Sequence, residues 1–556
     1  MYKRILFLVV ITALLFASCN PSAKFSNDVD GSHAINADSL RLHIAALSAD
    51  SFMGRKPFTA GETKTVAWLQ QQFAAAGLEP GNGAGYLQEV PMVNILATAA
   101  PQMQVSGKNG NFTLRAFDDY IIWTDKPEAH EQLDKAELVF AGYGVVAPEY
   151  KWNDYEGLDV KGKVVLVMVN DPGFWAGDTS LFKGKEMTYY GRWTYKFEEA
   201  ARQGAKGCLI IHNTAAASYP FAVQQNNFNT SRLQLDNRNN PVKNCDVIGW
   251  VPEQIANKLF TAAGYDSSLL SKANKPGFKA VPLNLQLSTS MEVKADYNKS
   301  SNVIGMIKGS KHPEQVIIYS AHWDHLGIGT PDEKGDSIYN GALDNASGIA
   351  GLLELARAFK QMKTKPERSI VFLAVTAEEQ GLLGSAYYAE NPVYPAKNTV
   401  ANINIDGVGP FGRNKDIVVV GAGQSDLEDY LKEAAEKDSS YVSFETHPEA
   451  GYYYRSDHFN FAKAGIPALY TETGIDVAGK DTAYGKKIQN DYSEKHYHRP
   501  SDEYDAATWT MDAGVHDLKI LFAVGRRLAF EEKMPQWKAG SEFKAARDKT
   551  NPPANK

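Results

Sequence analysis

Apolar runs in the second half of the chain end in a histidine or a carboxylate residue. These runs are VIIYSA before His322, SIVFLAVTA before Glu378 and Glu379, and VANINI before Asp406. Amphipathic stretches with helical periodicity separate the runs. Strands that alternate with helices predict an α/β fold, with a mixed, mostly parallel sheet and helices on both of its faces.

Further residues with metal-binding side chains stand close to these predicted strand ends. They are Asp324, Asp344 in the turn NGALDNASG, and His498 in the loop KHYHRPSDEYD. In an open α/β sheet, ligands collect at the carboxyl ends of the strands. A two-metal hydrolytic site needs a bridging carboxylate, imidazole and carboxylate ligands on each side, and one free carboxylate that accepts a proton. Each residue alone would be read as a helix cap or a surface charge, so the prediction rests on their joint occurrence.

The candidate residues fall within five motifs spaced along the second half of the chain. They are AHWDHLG (321–327), GALDNASG (341–348), TAEEQGLLGS (376–385), NIDGVG (404–409) and YHRPSDEYD (497–505). In this order they resemble the co-catalytic zinc exopeptidase family, which includes bacterial leucyl aminopeptidases, glutamate carboxypeptidases and glutaminyl cyclases. The early stretch SADSFMGRKPFTAGETKTVAWLQQQFAAAGLEPG is similar to the opening segment of that family.

The resemblance implies a set of ligands for two zinc ions per chain. Asp344 would be the bridging carboxylate, and the bond after it would be cis. The ligands that complete the two zinc sites would be His322 and Asp406 on one side, and Glu379 and His498 on the other. Zinc is the metal that the family implies, although such ligands also bind cobalt and manganese.

The resemblance also assigns three catalytic roles. Glu378 would be the general base, and Asp324 would accept a hydrogen bond from the far nitrogen of His322. Tyr497 would polarise the scissile carbonyl. The family pattern leaves two nearby histidines outside the metal shell, His325 and His496.

The segment YYYRSDHFNF (452–461) resembles a family stretch near the substrate pocket. Two interpretations of its charged residues remain open. They could shape the substrate pocket, or they could form a structural cluster of salt bridges. The residues concerned are Arg455, Asp457 and His458.

The complete ligand set and the spare glutamate favour a zinc-dependent aminopeptidase that acts on peptides. A carboxypeptidase or a glutaminyl cyclase on the same fold is the alternative. The cyclases of this family use one zinc ion and need fewer ligands. A binding protein that has lost catalysis is disfavoured, because such relatives lack ligands or the base.

The first residues indicate export. Lys3 and Arg4 precede an apolar run, and small residues precede Cys19, which is typical of a signal peptide with a lipidation site. We therefore expect a periplasmic or cell-envelope lipoprotein, attached to the membrane only through Cys19, or alternatively a secreted protein. The formal net charge of -7, without a long basic run, gives no reason to expect a nucleic-acid partner. The oligomeric state is left open.

The middle of the chain reads as short β-runs, and the stretches VFAGYGVVAPEYKWNDYEGLDVKGKVVLVMVNDPG and KFEEAARQGAKGCLIIHN resemble an inserted protease-associated domain. Three roles for such an insert remain open: it covers the active site, it restricts substrate size, or it is a packing appendage. Cys208 and Cys245 either pair or remain buried thiols. The predicted parts are a signal peptide (1–18), a tether (19–37), the first part of the peptidase domain (38–129), the β-rich insert (130–290), the catalytic part (291–532) and a loosely packed polar tail (533–556).

Overall fold

The computed structural model describes residues 31–239 and 244–550. The predicted signal peptide and Cys19 lie outside these residues, so export and lipid attachment stay predictions. Within the described ranges, no helix has the length and apolar character that a membrane crossing requires.

The strands fall into an earlier and a later set, joined by one very long strand. The earlier set is β1 (Glu79–Pro80), β2 (Leu87–Ala99), β3 (Gln102–Gly107), β4 (Gly110–Arg115), β5 (Ile121–Trp123), β6 (His130–Phe140), β7 (Val146–Ala147), β8 (Trp152–Asn153), β9 (Val164–Met168), β10 (Gly207–His212), β11 (Ser231–Leu235) and β12 (Val247–Pro252). The long strand and the later set are β13 (Val281–Ile307), β14 (His312–His322), β15 (Gly327–Ile328), β16 (Ile338–Tyr339), β17 (Arg368–Val375), β18 (Thr399–Ile405), β19 (Asp416–Val419), β20 (Tyr441–Phe444) and β21 (Ala468–Thr473).

The α-helices lie before, between and after these strands. They are α1 (Ala37–Leu47), α2 (Ala60–Ala75), α3 (Gly173–Ala176), α4 (Trp193–Arg202), α5 (Thr214–Ala217), α6 (Ala222–Gln225), α7 (Glu253–Ala262), α8 (Ser268–Ala273), α9 (Ser347–Lys360), α10 (Leu383–Glu390), α11 (Leu427–Lys437), α12 (His458–Lys463), α13 (Thr482–Lys495), α14 (Asp512–Phe530) and α15 (Lys544–Thr550).

The later strands form the sheet that carries the candidate site. Strand β14 lies between β17 and β18 and is parallel to both. Strand β21 pairs in parallel with β18. The sheet becomes mixed at its sides, where β13 pairs antiparallel with β17, and β19 pairs antiparallel with β21. This arrangement confirms the predicted mixed, mostly parallel sheet.

Helices cover both faces of this sheet. Alternate residues of a strand point to opposite faces, so each strand packs against helices on both sides. Ile317 and Tyr319 of β14 pack into a buried cluster with residues of α9 and α14. Val316 and Ile318 face the other way, into a second cluster that includes residues of α10 and α12. Buried on both sides, the strand reads as a continuous apolar run, which is why the sequence revealed it.

The earlier strands enclose a separate buried cluster, which draws on residues from Val93 to Val293. Here β6, β9, β10 and β12 run parallel to one another. Strand β13 belongs to both regions: its first half pairs with β6 and its second half with β17. Cys208 and Cys245 are buried in this cluster as free thiols, so the structure contains no disulfide between them.

Both ends of the described chain are more tightly packed than their polar composition predicts. Ala34 and Ile35, in the predicted tether, are buried in the cluster around α9. In the predicted loosely packed tail, Trp537 and Phe543 are buried against the sheet face opposite to α9. The described part of the tail is therefore packed rather than loose, because a few apolar side chains among many lysines are enough to anchor it.

Candidate metal centre

Three neighbouring strands deliver their carboxyl-terminal residues to one place. His322 is the last residue of β14, Asp406 directly follows β18, and Glu378 and Glu379 follow β17 by a few residues. Because β14 pairs in parallel with both other strands, the three strand ends lie side by side. The side chains that the sequence predicted to meet therefore do meet.

Asp344 enters the site from the turn that precedes α9. The bond between Asp344 and Asn345 is cis, as expected. The Asp502 carboxylate accepts hydrogen bonds from the backbone N–H groups of Leu343 (3.0 Å) and Asp344 (3.1 Å). Gly341 opens the turn with a φ of 55°, and a Cβ there would lie 2.2 Å from the Asp344 carbonyl oxygen, so the turn requires glycine.

The Asp344 carboxylate stands between two imidazoles. Its Oδ1 lies 3.2 Å from Nε2 of His322, and its Oδ2 lies 3.2 Å from Nε2 of His498. Asp406 Oδ1 lies 3.1 Å from the same nitrogen of His322. On the other side, Glu379 Oε2 lies 3.0 Å from the same nitrogen of His498. Each half of the site thus has one imidazole and one carboxylate of its own, and the halves share Asp344.

The charges of the carboxylates dominate the protonation of the imidazoles. Burial alone would lower the pKa of His322, but the Glu378 and Asp406 charges raise it well above its usual value. In the same way, against the effect of burial, Asp344 and Glu379 raise the pKa of His498 to about 10. Within the described chain, only histidine side chains come within 4.0 Å of these carboxylates as cationic partners. The pocket has an excess of negative charge that suits a cation.

Glu378 differs from its neighbour Glu379. Its Oε2 lies 3.9 Å from Nε2 of His322, farther than the carboxylate oxygens of Asp344 and Asp406. Burial raises the pKa of the Glu378 carboxyl well above its usual value, and the Asp406 and Glu379 charges add to this effect, against the opposing effect of His322. A carboxylate with a raised proton affinity, beside the ligands but less close to them, can act as a base.

Asp324 is buried directly behind the site, with contacts that differ from the expected ones. The Nδ1 atom of His322 lies 3.1 Å from the backbone oxygen of Asp324, while the Asp324 carboxylate oxygen Oδ1 is 3.8 Å away. That Oδ1 accepts a hydrogen bond from the backbone N–H of Glu378, at 3.0 Å. The main chain of Asp324 therefore orients His322, and its side chain holds the Glu378 loop.

The other aromatic residues of the motifs lie at different distances from the centre. The ring of Tyr497 is half exposed and stacks on His498, with 3.8 Å between the ring centroids. His325 is buried, and its Nδ1 lies 2.6 Å from Oε1 of Glu379. It therefore contacts a proposed ligand and lies close to Asp344 and Glu379, although the family pattern places it outside the metal shell. His496 instead hydrogen-bonds to the backbone oxygen of Ser501 at 2.9 Å.

The segment after β20 does not form the cluster of salt bridges that was one of its two interpretations. Asp457 accepts a hydrogen bond from the Ser385 hydroxyl (2.5 Å), and Arg455 donates to the backbone oxygen of Ala450 (2.6 Å). His458 is buried, and within the described chain neither of its ring nitrogens has a hydrogen-bond partner. Arg455 and Asp457 thus hydrogen-bond to uncharged partners and not to each other.

His458 is expected to make the protein less stable as the pH falls. Burial lowers its pKa from 6.5 to about 3. Between these pH values the unfolded chain binds the proton and the folded chain does not. Above pH 6.5 His458 therefore causes no loss in the free energy of unfolding, and the loss grows as the pH drops towards 3. At pH 5 this loss is about 2 kcal/mol. Urea unfolding at pH 5 and at pH 7.5 should show a smaller difference for His458→Phe than for the wild type.

The matched control is the same substitution at His312, which is exposed at the start of β14. His312→Phe should keep the wild-type difference between the two pH values. An equal acid sensitivity of the wild type and His458→Phe would show that His458 does not contribute in this way.

Sequence reasoning missed two residues that hold the site together. Arg55 is fully buried, and its guanidinium donates to the backbone oxygens of Trp323 (2.9 Å) and Gly341 (2.9 Å). It therefore ties the His322 loop to the Asp344 turn. The Ser456 hydroxyl donates to Oδ2 of Asp406 at 2.5 Å. The signal for both was their place in the motif segments, but the pattern gave no partner for either.

The part of the chain that contains the candidate site is similar to known proteins. Residues 302–523 match the model of Peptidase family M28. A probable zinc metalloprotease of Pyrenophora teres f. teres is 40% identical over 109 residues, which are 20% of this chain and 23% of that protein. The aminopeptidase NAALADL1 of Mus musculus is 34% identical over 139 residues, which are 24% of this chain and 17% of that protein. These matches thus span less than a quarter of the length of either relative.

Two solved structures are similar over most of their length. An aminopeptidase from Aneurinibacillus sp. strain AM-1 is 21% identical, with 90% of this chain and 96% of that chain covered and a TM-score of 0.47. BSAP, a zinc aminopeptidase from Bacillus subtilis, is 20% identical, with 92% and 99% covered and a TM-score of 0.41. All the predicted metal ligands lie between residues 302 and 523, the segment whose sequence matches peptidase family M28.

Proposed function

We propose that this chain is a zinc-dependent exopeptidase that removes residues from the amino end of peptides. The observation that carries the proposal is the Asp344 carboxylate, whose two oxygens face the nitrogens of two different imidazoles. A single carboxylate in that position is what a pair of metal ions needs as its bridge. The name of the mouse relative, an aminopeptidase, supports the choice of the amino end.

The residues fit two zinc ions. Zinc binds imidazole nitrogen and carboxylate oxygen and accepts few ligands, so that a position remains for water. One ion would be held by His322, Asp406 and Asp344, and the other by His498, Glu379 and Asp344. The excess of buried negative charge supports divalent cations at this place.

Among the candidates for the second ion, His498 is favoured over His325. A single nitrogen of His498 faces both Asp344 and Glu379, at 3.2 and 3.0 Å. His325 instead contacts the other oxygen of Glu379, at 2.6 Å. We assign His325 the task of orienting the Glu379 carboxylate.

The proposed chemistry divides between the metal ions and the protein. When bound, the zinc ions would polarise the scissile carbonyl and lower the pKa of a water molecule. Glu378 takes a proton from the attacking water on its carboxylate and returns it to the leaving nitrogen, so that the amine departs neutral. Asp324 keeps Glu378 in place through the backbone N–H. Tyr497, half exposed beside His498, offers its hydroxyl to the substrate oxygen.

The test is a panel of aminoacyl reporters with free amino groups, together with their N-acetylated counterparts, with and without a chelator. An aminopeptidase cleaves only the free-amine reporters and stops when the chelator is added. Restored activity on addition of zinc separates metal loss from unfolding.

Two other outcomes would overturn the proposal. Cleavage of the acetylated set would show that the enzyme needs no free amino end, as is the case for an endopeptidase or an amidase. If neither set is cleaved while metal is still bound, the chain would be a carboxypeptidase, a glutaminyl cyclase or a binding protein. Assays with carboxypeptidase and glutaminyl cyclase substrates would then distinguish these three.

A further inference from the structure

A cavity of about 280 Å³ lies outside the metal centre and has an unusual lining. Aromatic side chains form much of its wall, among them Trp193 at the start of α4 and Trp250 of β12. Three arginines also line it: Arg192, Arg232 and Arg455. The first two belong to the region of the earlier strands, and Arg455 belongs to the segment after β20.

Arg192, which is partly buried, contributes a guanidinium to this lining. Its side chain makes no ion pair or hydrogen bond with any residue in ranges 31–239 and 244–550, and its Nε is buried without a partner. Burial, together with the nearby charge of Arg455, lowers the pKa of Arg192 to about 10. A partly buried guanidinium whose Nε has no partner is stabilised when an anion joins it.

Arg232 is in a similar position. Its guanidinium lies over the ring of Trp123, at 4.0 Å, and its Nε and Nη2 are buried without hydrogen-bond partners in the described chain. One carboxylate, that of Asp125, acts on it through its charge, but the two groups are not within 4.0 Å. Asp125 is engaged with the side-chain amide of Gln234, at 2.9 Å. The cavity therefore has unused positive charge.

The third arginine connects the cavity to the metal centre. Arg455 directly precedes Ser456, whose hydroxyl contacts the candidate ligand Asp406 at 2.5 Å. Its guanidinium is fixed by the backbone oxygen of Ala450. Consecutive Cα atoms are about 3.8 Å apart, so the backbone of a residue that lines the cavity lies next to the residue that supports a candidate metal ligand.

We propose that this cavity binds the free α-carboxylate at the far end of a short peptide substrate. The inference rests on the proposed exopeptidase function. Guanidinium groups bind carboxylates through paired, charge-assisted hydrogen bonds, and the aromatic wall suits an apolar side chain beside the carboxylate. The cavity would thus select short peptides with a free carboxyl end.

The experiment compares peptide acids with the corresponding peptide amides, in a series of increasing length. At the length that spans the two sites, kcat/KM should be about 10- to 100-fold higher for the acid than for the amide. Arg192→Met should bring this ratio close to one. The matched control is Arg238→Met, an exposed arginine of the same region that is paired with Asp236, and it should keep the wild-type ratio.

The ratio is taken within each variant, so a change in overall activity does not affect it. Arg232→Met provides a second variant in case Arg192→Met yields too little folded protein. A wild-type ratio close to one at every length would overturn the inference, even if the enzyme proves to be an aminopeptidase. So would a ratio that both variants leave intact.

A binding measurement separates this inference from the proposed function. N-acetylated peptide acids and amides are titrated calorimetrically into the full chain, with inorganic phosphate as a competitor. Tighter binding of the acid, lost in Arg192→Met, would support the inference even if no peptide is cleaved. Binding of phosphate without any preference for acid over amide would identify a general anion site and contradict it.

Discussion

Replacing Glu378 with glutamine is expected to lower kcat by about 10²–10⁴-fold while the zinc content of the protein stays unchanged. Glutamine has nearly the same volume as glutamate, but it cannot accept the proton of the attacking water. Glu378 is farther from the imidazole nitrogen than the proposed ligands are, so its loss should leave the metal site intact. Steady-state kinetics on a free-amine reporter and elemental analysis of the purified variant measure the two effects.

Glu390→Gln, at the exposed end of α10, is the matched control and should behave like the wild type. Activity of Glu378→Gln within a few fold of the wild type would refute the role of this residue as the base. A parallel loss of zinc would instead identify Glu378 as a ligand.

Replacing Asp344 with alanine is expected to remove both zinc ions and, with them, all measurable activity. Its two carboxylate oxygens face two different imidazoles, so no other residue can take over both contacts. The two halves of the site would also lose the negative charge that they share. Metal analysis after dialysis, combined with the reporter assay, gives the result directly.

Asp512→Ala, at the exposed start of α14, is the control for this substitution. Retention of about two zinc ions by Asp344→Ala would disprove the bridging role. His498→Ala and His325→Ala refine the assignment: the first should lose the ion on its side, while the second should retain both. The reverse result would make His325 the ligand.

The arrangement of the main sheet was predictable because burial on both faces leaves a simple trace in the sequence. Runs such as the one that ends at His322 are continuously apolar, and the residues that break them mark the strand ends. Parallel neighbours bring these ends to the same edge, so the meeting of His322 with Asp406 follows from the order of the strands. The turn at Asp344 needed the family likeness as well, since a cis bond leaves no local signal.

The supports of the site were not predictable, because each depends on a contact between distant parts of the chain. A sequence pattern cannot show that Ser456 reaches Asp406, or that Asp502 caps the turn at Leu343. The role of Asp324 shows the same limit. Its position next to His322 was recognised, but only the structure shows that its backbone, and not its carboxylate, meets the imidazole.

The contacts of Arg55 also bear on the order in which the protein folds. The carbonyl groups that this residue holds lie 268 and 286 positions further along the chain. The separately packed region from Val93 to Val293 lies between Arg55 and these carbonyl groups in the sequence. Contacts of such long range form only after a large loop has closed, which makes them slow. The candidate metal centre can therefore be completed only after the parts of the chain on either side of that region have come together, and we expect metal binding to be one of the later events of folding.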